Sequence, residues 1–175
     1  MNNDGDFKMI ETNGEDIFDK ICDADAVCIP TNCSIDEDSL CNPMGALAGQ
    51  FARRWNELPG IYGYLLKLIP NIPVILGYVN KLDHKRFASS LKCTYTQDSD
   101  WCAIVAVPTM HTIMEPADIN LVIRSAKLLV ELANLNGWNE IYCPSFGTGA
   151  GGLRVEDVHP ALADIFDDRF TVMIK

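Results

Sequence analysis

Short apolar runs alternate with helix-like patterns along the whole chain. Runs such as Val27-Cys28-Ile29 and Ile104-Val105-Ala106 are typical of buried strands, since both of their faces are apolar. Strands are predicted over residues 7–11, 25–30, 73–79, 101–108, 140–144 and 170–174. Between several of these strands, apolar residues recur at the spacing of a helix.

The strongest helical pattern begins after Asp118, a favoured N-cap residue, and ends at Asn136-Gly137, where glycine suits the C-terminal position. A second follows Met44-Gly45, and its apolar face consists of Leu47, Phe51, Trp55 and Leu58. Helices are also predicted over 60–69 and 154–166, the latter kinked or restarted at Pro160, with a short helical or looped segment over 14–22. The polar segment 80–100 predicts a long surface loop or an irregular hairpin.

Strands that alternate with helices over the full length predict an α/β fold. We expect one domain over residues 1–175, a three-layer α/β/α sandwich around a mixed, mostly parallel sheet. Ligands of such folds bind beyond the carboxyl ends of the strands. Three predicted strand ends are therefore candidates for a common site: Thr31-Asn32, 109–111 and 146–152.

The last of these strand ends is rich in glycine. Glycines allow successive N–H groups to turn towards one anion, and the helix that follows adds its N-terminal partial charge. The pattern predicts a phosphate cradle, with a plain glycine-rich turn as the alternative. No lysine follows the glycines as in a P-loop. Gly147, Gly149 and Gly152 match GxGxxG spacing, but too little sequence follows for a dinucleotide-binding fold.

The charge balance restricts the partners. The net charge is −10 and the pI is about 4.6, which disfavours extended binding to nucleic acid or to an anionic membrane. An anionic ligand must therefore be held by local backbone dipoles and a few side chains.

The seven cysteines form no CxxC pair and no Cys/His ligand spacing, so neither a metal site nor a cofactor is expected. Cys28, Cys102 and Cys143 lie in apolar runs and are interpreted as buried. The odd total of seven cysteines suggests a reducing compartment. Residues 1–6 lack the features of a signal peptide. No apolar run has membrane-spanning length. We therefore expect a cytoplasmic protein.

The chain resembles the macro domain, an ADP-ribose-binding module, from Gly14 to the C-terminus. The resemblance rests on Asp16-Ile17, the run 25–32, Met44-Gly45 before a helix, and the loop 146–153. The loop between a strand and the last helix is its most specific part. The segment 167–172 is also similar to the ending of many bacterial and phage macro domains.

The resemblance implies a role for individual residues. Asp16 would contact the adenine amino group, Ile17 the side of the adenine ring, and Asn32 the distal ribose. The diphosphate would lie between the start of the helix after Gly45 and the glycine loop. The implied ligand-binding residues are Asp16, Ile17, Asn32, Met44, Gly45, Ala46, Pro108, Thr109, Phe146, Gly147, Thr148, Gly149, Ala150 and Gly151.

Several of these assignments have structural alternatives. Asp16 is also a good helix cap, and Asn32 is equally suited to a strand-end turn. Phe146 lines the ligand site in one interpretation and is a core aromatic in the other.

The chain departs from the family at positions that matter for catalysis. The most similar branch includes hydrolases that release ADP-ribose from protein or DNA, with a lysine nucleophile at the position of Met110. Methionine cannot form that covalent intermediate. Gly151-Gly152 replace an acid found in some of these enzymes, and the first loop has only Gly45 before Ala46.

The remaining catalytic candidates are His111, as a general base, and Asn32. The alternative for His111 is a surface residue. The acidic segment 36–38 could position a water near the ribose, but a solvent-facing loop is the favoured interpretation.

The resemblance thus implies binding of ADP-ribose or an ADP-ribosylated target, and the residues support binding better than catalysis. If the chain is an enzyme, the expected activity is release of ADP-ribose by a lysine-independent, water-mediated mechanism. The alternatives are an ADP-ribose 1''-phosphate phosphatase, a non-catalytic sensor of ADP-ribose derivatives, and an acidic scaffold for another protein.

Overall fold

A computed structural model describes residues 8–11, 15–42, 46–92 and 100–174. The strands are β1 (Lys8–Glu11), β2 (Ala26–Asn32), β3 (Val74–Asn80), β4 (Phe87–Ser89), β5 (Trp101–Met110), β6 (Ile141–Pro144) and β7 (Phe170–Ile174). A 3-10 helix spans Ile17–Cys22, and the α-helices are α1 (Ala46–Arg54), α2 (Leu58–Leu68), α3 (Ile119–Asn136) and α4 (Val155–Ala163).

The strands form one seven-stranded sheet in the order β1-β7-β6-β2-β5-β3-β4. Strands β1, β7, β6, β2 and β5 are parallel to one another. Strand β3 is antiparallel to β5, and β4 is antiparallel to β3. The predicted mixed, mostly parallel sheet is confirmed. The carboxyl ends of β2, β5, β6 and β7 therefore lie at the same edge of the sheet.

Each face of the sheet is covered by a hydrophobic layer. On one face, Phe18 of the 3-10 helix stacks on Phe51 of α1. Trp55, the residue after α1, packs against Phe51 with its ring tilted. On the other face, α3 and α4 bury Leu129 and Leu162 against the central strands. The three layers agree with the predicted α/β/α sandwich. Cys28, Cys102 and Cys143 are buried in these layers, as expected, and are free thiols.

The structure differs from the expected helices at two prolines. The helix predicted through Leu58 is divided into α1 and α2, because Pro59 lacks an N–H and starts a new helix more readily than it continues one. The last helix continues through Pro160 and ends at Ala163. Helix α3 has the predicted ends: Asp118 accepts a hydrogen bond from the Asn120 amide, and Gly137 has φ +67°.

The polar segment after β3 contains a short hairpin. Strand β4 pairs antiparallel with β3. The hairpin alternative is therefore right for residues 80–92, whereas the prediction for 93–99 lies outside the described residues.

The loop after β2 packs directly on α2. A bridge between Ile35 and Cys41 closes this loop, and Ser39 has φ +67°. A Cβ atom at Gly63 would lie 2.0 Å from the carbonyl oxygen of Ser39. Only a residue without a side chain permits this approach of backbone to helix.

None of the helices in the described ranges combines the length and the apolar character that a membrane crossing requires.

Candidate functional site

A cleft lies at the edge of the sheet where the parallel strands end. It encloses about 250 Å³. The 3-10 helix, α1, four strand ends and the loop after β6 contribute its lining, which is made of Glu15, Asp16, Ile17, Pro30, Thr31, Leu47, Ala48, Gln50, Thr109, Met110, Pro144, Ser145, Gly147, Thr148, Gly149, Ala150, Gly151 and Met173. The structure thus brings the predicted adenine-binding pair and the glycine loop to one cavity.

The glycine loop is held in place by its own backbone and by the segment before α3. Gly147 accepts a hydrogen bond from the Leu153 amide at 3.0 Å, and Gly151 accepts one from the Ala117 amide at 2.9 Å. The φ angle of Gly147 is +72°, which favours glycine. These contacts give the loop one defined path along the cleft.

Three consecutive amides of this loop are available to a ligand. Within the described ranges, the N–H groups of Gly149, Ala150 and Gly151 donate no hydrogen bond to another residue. A Cβ atom at Gly149 would meet nothing within 4 Å. Unpaired N–H groups in a turn are suited to anion binding, because each carries a partial positive charge. The arrangement fits the predicted phosphate cradle.

Gly147 allows the backbone of the same loop to adopt its conformation. We expect Gly147→Ala to lower the free energy of unfolding by about 2 kcal/mol, because alanine is disfavoured at positive φ and its Cβ would lie 3.0 Å from the Ala117 Cβ. Urea denaturation measures the change. Gly149→Ala is the matched control and should alter stability by less than about 0.5 kcal/mol. Equal losses in the two variants would contradict this description of the loop.

Asp16 caps the 3-10 helix and also borders the cleft, so the cap alternative is confirmed and its contact with adenine stays a prediction. Its Oδ1 accepts a hydrogen bond from the Phe18 amide at 3.2 Å, and the Asp19 carboxylate accepts one from the Asp16 amide. This reciprocal cap fixes the start of the 3-10 helix. Asp16 also borders the cleft beside Ile17. Neighbouring Glu15 forms an ion pair with Lys20 at 2.6 Å.

The amide of Asn32 is engaged by the backbone. Its Nδ2 donates to the carbonyl of Asn42, and its Oδ1 accepts from the amide of Ser34, both at 2.9 Å. The side chain is 3% exposed and borders a separate cavity of about 30 Å³ instead of the main cleft. The strand-end turn, the alternative interpretation, therefore describes Asn32 better than contact with a ribose.

His111 also lies outside the lining of the cleft. Its Nε2 is 2.9 Å from an Asp118 carboxylate oxygen, and both side chains are partly exposed. The hydrogen bond from His111 holds the pKa of Asp118 below its ordinary value. This partner connects His111 to the N-cap of α3, which fits the surface-residue alternative. Its catalytic role stays a prediction.

Phe146 and Pro108 do not line the cleft. Phe146 is completely buried and packs edge-on against Phe166, with ring centroids 6.4 Å apart. The interpretation of Phe146 as a wall of the ligand site is corrected to the core aromatic. Pro108 lies in the sheet, where its carbonyl accepts a hydrogen bond from Ser125 Oγ at 2.8 Å.

The remaining predicted positions are distributed between the cleft and the surface. Thr109 and Met110 border the cleft. Ala46 is the first residue of α1, whereas Met44 and Gly45 lie outside the described residues. The acidic segment 36–38 is exposed, and the Asp36 carboxylate accepts a hydrogen bond from the Leu40 amide within its own loop.

Sequence reasoning missed a polar pair at the start of the glycine loop. Ser145 borders the cleft, and its Oγ lies 2.9 Å from Nε2 of His159 on α4. The two residues are 14 positions apart, so no local pattern connects them. Within the described part of the chain, no three His, Cys, Asp or Glu side chains form a group that could hold a metal ion.

No family model and no curated protein sequence matches the chain. Solved structures are similar in fold. The macrodomain of Mycobacterium tuberculosis DarG has a TM-score of 0.67 at 18% identity, covering 95% of this chain and 97% of that one. The macrodomain of Thermus aquaticus DarG has a TM-score of 0.64 at 15% identity, covering 97% of both chains.

A third similar structure contains a ligand. It is Thermosipho africanus DarTG in complex with ADP-ribose, with a TM-score of 0.71 at 13% identity. The match covers 96% of this chain but 42% of that chain, so this chain spans less than half of that protein.

Proposed function

We propose that this chain, which has the macro domain fold, binds ADP-ribose or a close derivative in the cleft at the carboxyl ends of its strands. One observation carries the proposal: the three consecutive amides 149–151, which have no partner among the described residues, border the same cavity as Asp16 and Ile17. A dinucleotide-like anion needs both a diphosphate site and an adenine site. The ADP-ribose complex of T. africanus DarTG, which has a similar fold, supports the choice of ligand.

The proposed ligand orientation follows from the lining. The diphosphate accepts hydrogen bonds from the amides of residues 149–151, the adenine packs on Ile17, and its amino group donates to the second carboxylate oxygen of Asp16. The distal ribose then extends towards Thr109 and Met110. The described lining contains no Lys or Arg side chain, so backbone dipoles balance the phosphate charge in a protein of net charge −10.

We propose a sensor or binding role in preference to turnover. The described lining contains no lysine, histidine or cysteine. The family resemblance implies that Met110 stands at the position of the lysine nucleophile of the hydrolases. Water-mediated release of ADP-ribose and hydrolysis of ADP-ribose 1''-phosphate are the competing functions. Both would use the same bound nucleotide.

Isothermal titration calorimetry with ADP-ribose tests the common step. We expect saturable binding to the full chain, and a folded protein that gives no heat with ADP-ribose or ADP would end the proposal. Turnover assays use ADP-ribosylated protein, ADP-ribosylated DNA and ADP-ribose 1''-phosphate. A product formed by the wild type and lost with the cleft variant Gly149→Glu would favour an enzyme.

The role of Asp16 is tested by a change that keeps the cap. Asparagine caps helices as well as aspartate does. When its side-chain oxygen accepts the hydrogen bond from the Phe18 amide, its side-chain NH2 is directed at the adenine amino group, and two donors then face each other. We expect Asp16→Asn to lower the affinity for ADP-ribose about 10-fold or more and to leave the melting temperature unchanged.

The matched ligand is the hypoxanthine analogue, IDP-ribose, whose exocyclic carbonyl oxygen accepts a hydrogen bond where the adenine amino group donates one. Asp16→Asn should therefore bind IDP-ribose more tightly than the wild type does. If the variant and the wild type rank the two nucleotides alike, Asp16 does not contact the base.

A further inference from the structure

Ser145 is fixed at the junction between β6 and the glycine loop. Its amide donates to the Met173 carbonyl at 3.2 Å, and its own carbonyl accepts from Thr148 Oγ1 at 3.1 Å. Its hydroxyl oxygen lies 2.9 Å from His159 Nε2. These bonds hold the backbone of Ser145 on both sides, and the residue borders the same cleft as residues 149–151.

His159 is a largely buried side chain of α4, only 8% exposed. Burial lowers its pKa below the ordinary value of a histidine, against a smaller opposing effect of the Glu156 charge. The ring is therefore neutral near pH 7 and carries one proton. Within the described residues only Nε2 has a hydrogen-bond partner, so no acceptor fixes the proton on Nδ1.

The position of this proton decides what Ser145 offers to a ligand. With the proton on Nε2, the ring donates to Ser145 Oγ, and the hydroxyl hydrogen is free to point into the cleft. With the proton on Nδ1, the hydroxyl donates to Nε2 and presents only lone pairs to the cleft. A phosphate oxygen accepts hydrogen bonds and donates none, so it selects the first arrangement.

We propose that Ser145 donates a hydrogen bond to a phosphate oxygen of the bound nucleotide, with His159 as the positioning residue that orients the hydroxyl. The inference rests on the proposed function and extends it, since it adds a side-chain donor to the three amides of the glycine loop. The pair strengthens anion binding without adding a net charge. A neutral donor of this kind discriminates nucleotides from the nucleoside.

Ser145→Ala is expected to weaken binding of ADP about 10-fold, since hydrogen bonds to charged groups are among the stronger ones. His159→Leu should weaken it by a similar factor, and the double variant should bind no more weakly than Ser145→Ala alone, because both changes remove the same interaction. His159→Gln places an amide N–H near the former Nε2 and should recover most of the affinity. A purely structural histidine predicts no such recovery.

Calorimetry with ADP and ligand-observed NMR with adenosine complete the test, after the melting temperature shows that each variant is folded. Adenosine affinity should be unchanged in Ser145→Ala. A wild type that binds ADP, with a Ser145→Ala variant that binds ADP equally well, overturns this inference and leaves the proposed function intact. Equal losses for ADP and adenosine also overturn it. A wild type that binds neither ligand contradicts the proposed function itself.

Discussion

Gly149→Glu should abolish measurable ADP-ribose binding, with an affinity at least about 100-fold below that of the wild type. The new side chain starts in open space at the surface of the glycine loop, where it occupies the proposed diphosphate site. Repulsion between a carboxylate and a phosphate about 4 Å apart costs on the order of 4 kcal/mol near a protein surface. A 100-fold loss of affinity corresponds to about 2.7 kcal/mol, so this repulsion is sufficient. Isothermal titration calorimetry measures the loss.

The same variant should fold normally. Gly149 does not have a positive φ, and a Cβ there meets no atom within 4 Å, so the melting temperature should remain close to that of the wild type. Leu135→Glu is the matched control, since it adds the same charge on α3, at an 85% exposed residue that does not border the cleft. Unchanged binding in a folded Gly149→Glu protein would remove the glycine loop from the site.

Much of the fold follows from patterns that are local in the sequence. The buried run of β5 is apolar over most of its length, and Asp118 and Gly137 mark both ends of α3 with residues whose backbone preferences are strong. Parallel pairing then follows from the alternation of strands and helices. The antiparallel pairing of β4 with β3 was less predictable, because a three-residue strand carries little periodic signal.

The candidate site was only partly predictable, for a physical reason. The cluster of glycines after β6 predicts a loop with unusual backbone angles, and Gly147 and Gly152 do have positive φ. The side chains of Asn32 and Phe146 could face a ligand or the protein, and hydrogen bonds to Asn42 and packing on Phe166 decide between these directions. Such contacts depend on tertiary structure. The pairing of Ser145 with a residue on α4 has the same origin.

The close contact between α2 and the loop after β2 predicts a large loss of stability in Gly63→Ala. The added methyl would lie 2.0 Å from the Ser39 carbonyl oxygen and 3.0 Å from the Cys41 amide nitrogen. Neither is the movable end of a side chain, so the loop or the helix must shift. We expect the free energy of unfolding to fall by about 3 kcal/mol or more, the upper part of the range for overpacked cores, and urea denaturation measures it.

Gly60→Ala is the matched control, because it makes the same substitution one turn earlier in α2. A methyl there would meet only the end of the Leu40 side chain, at 3.6 Å. Alanine favours a helix over glycine by up to about 1 kcal/mol, so this variant should be as stable as the wild type or more stable. If Gly63→Ala were equally benign, the loop after β2 could not be packed on α2 as described.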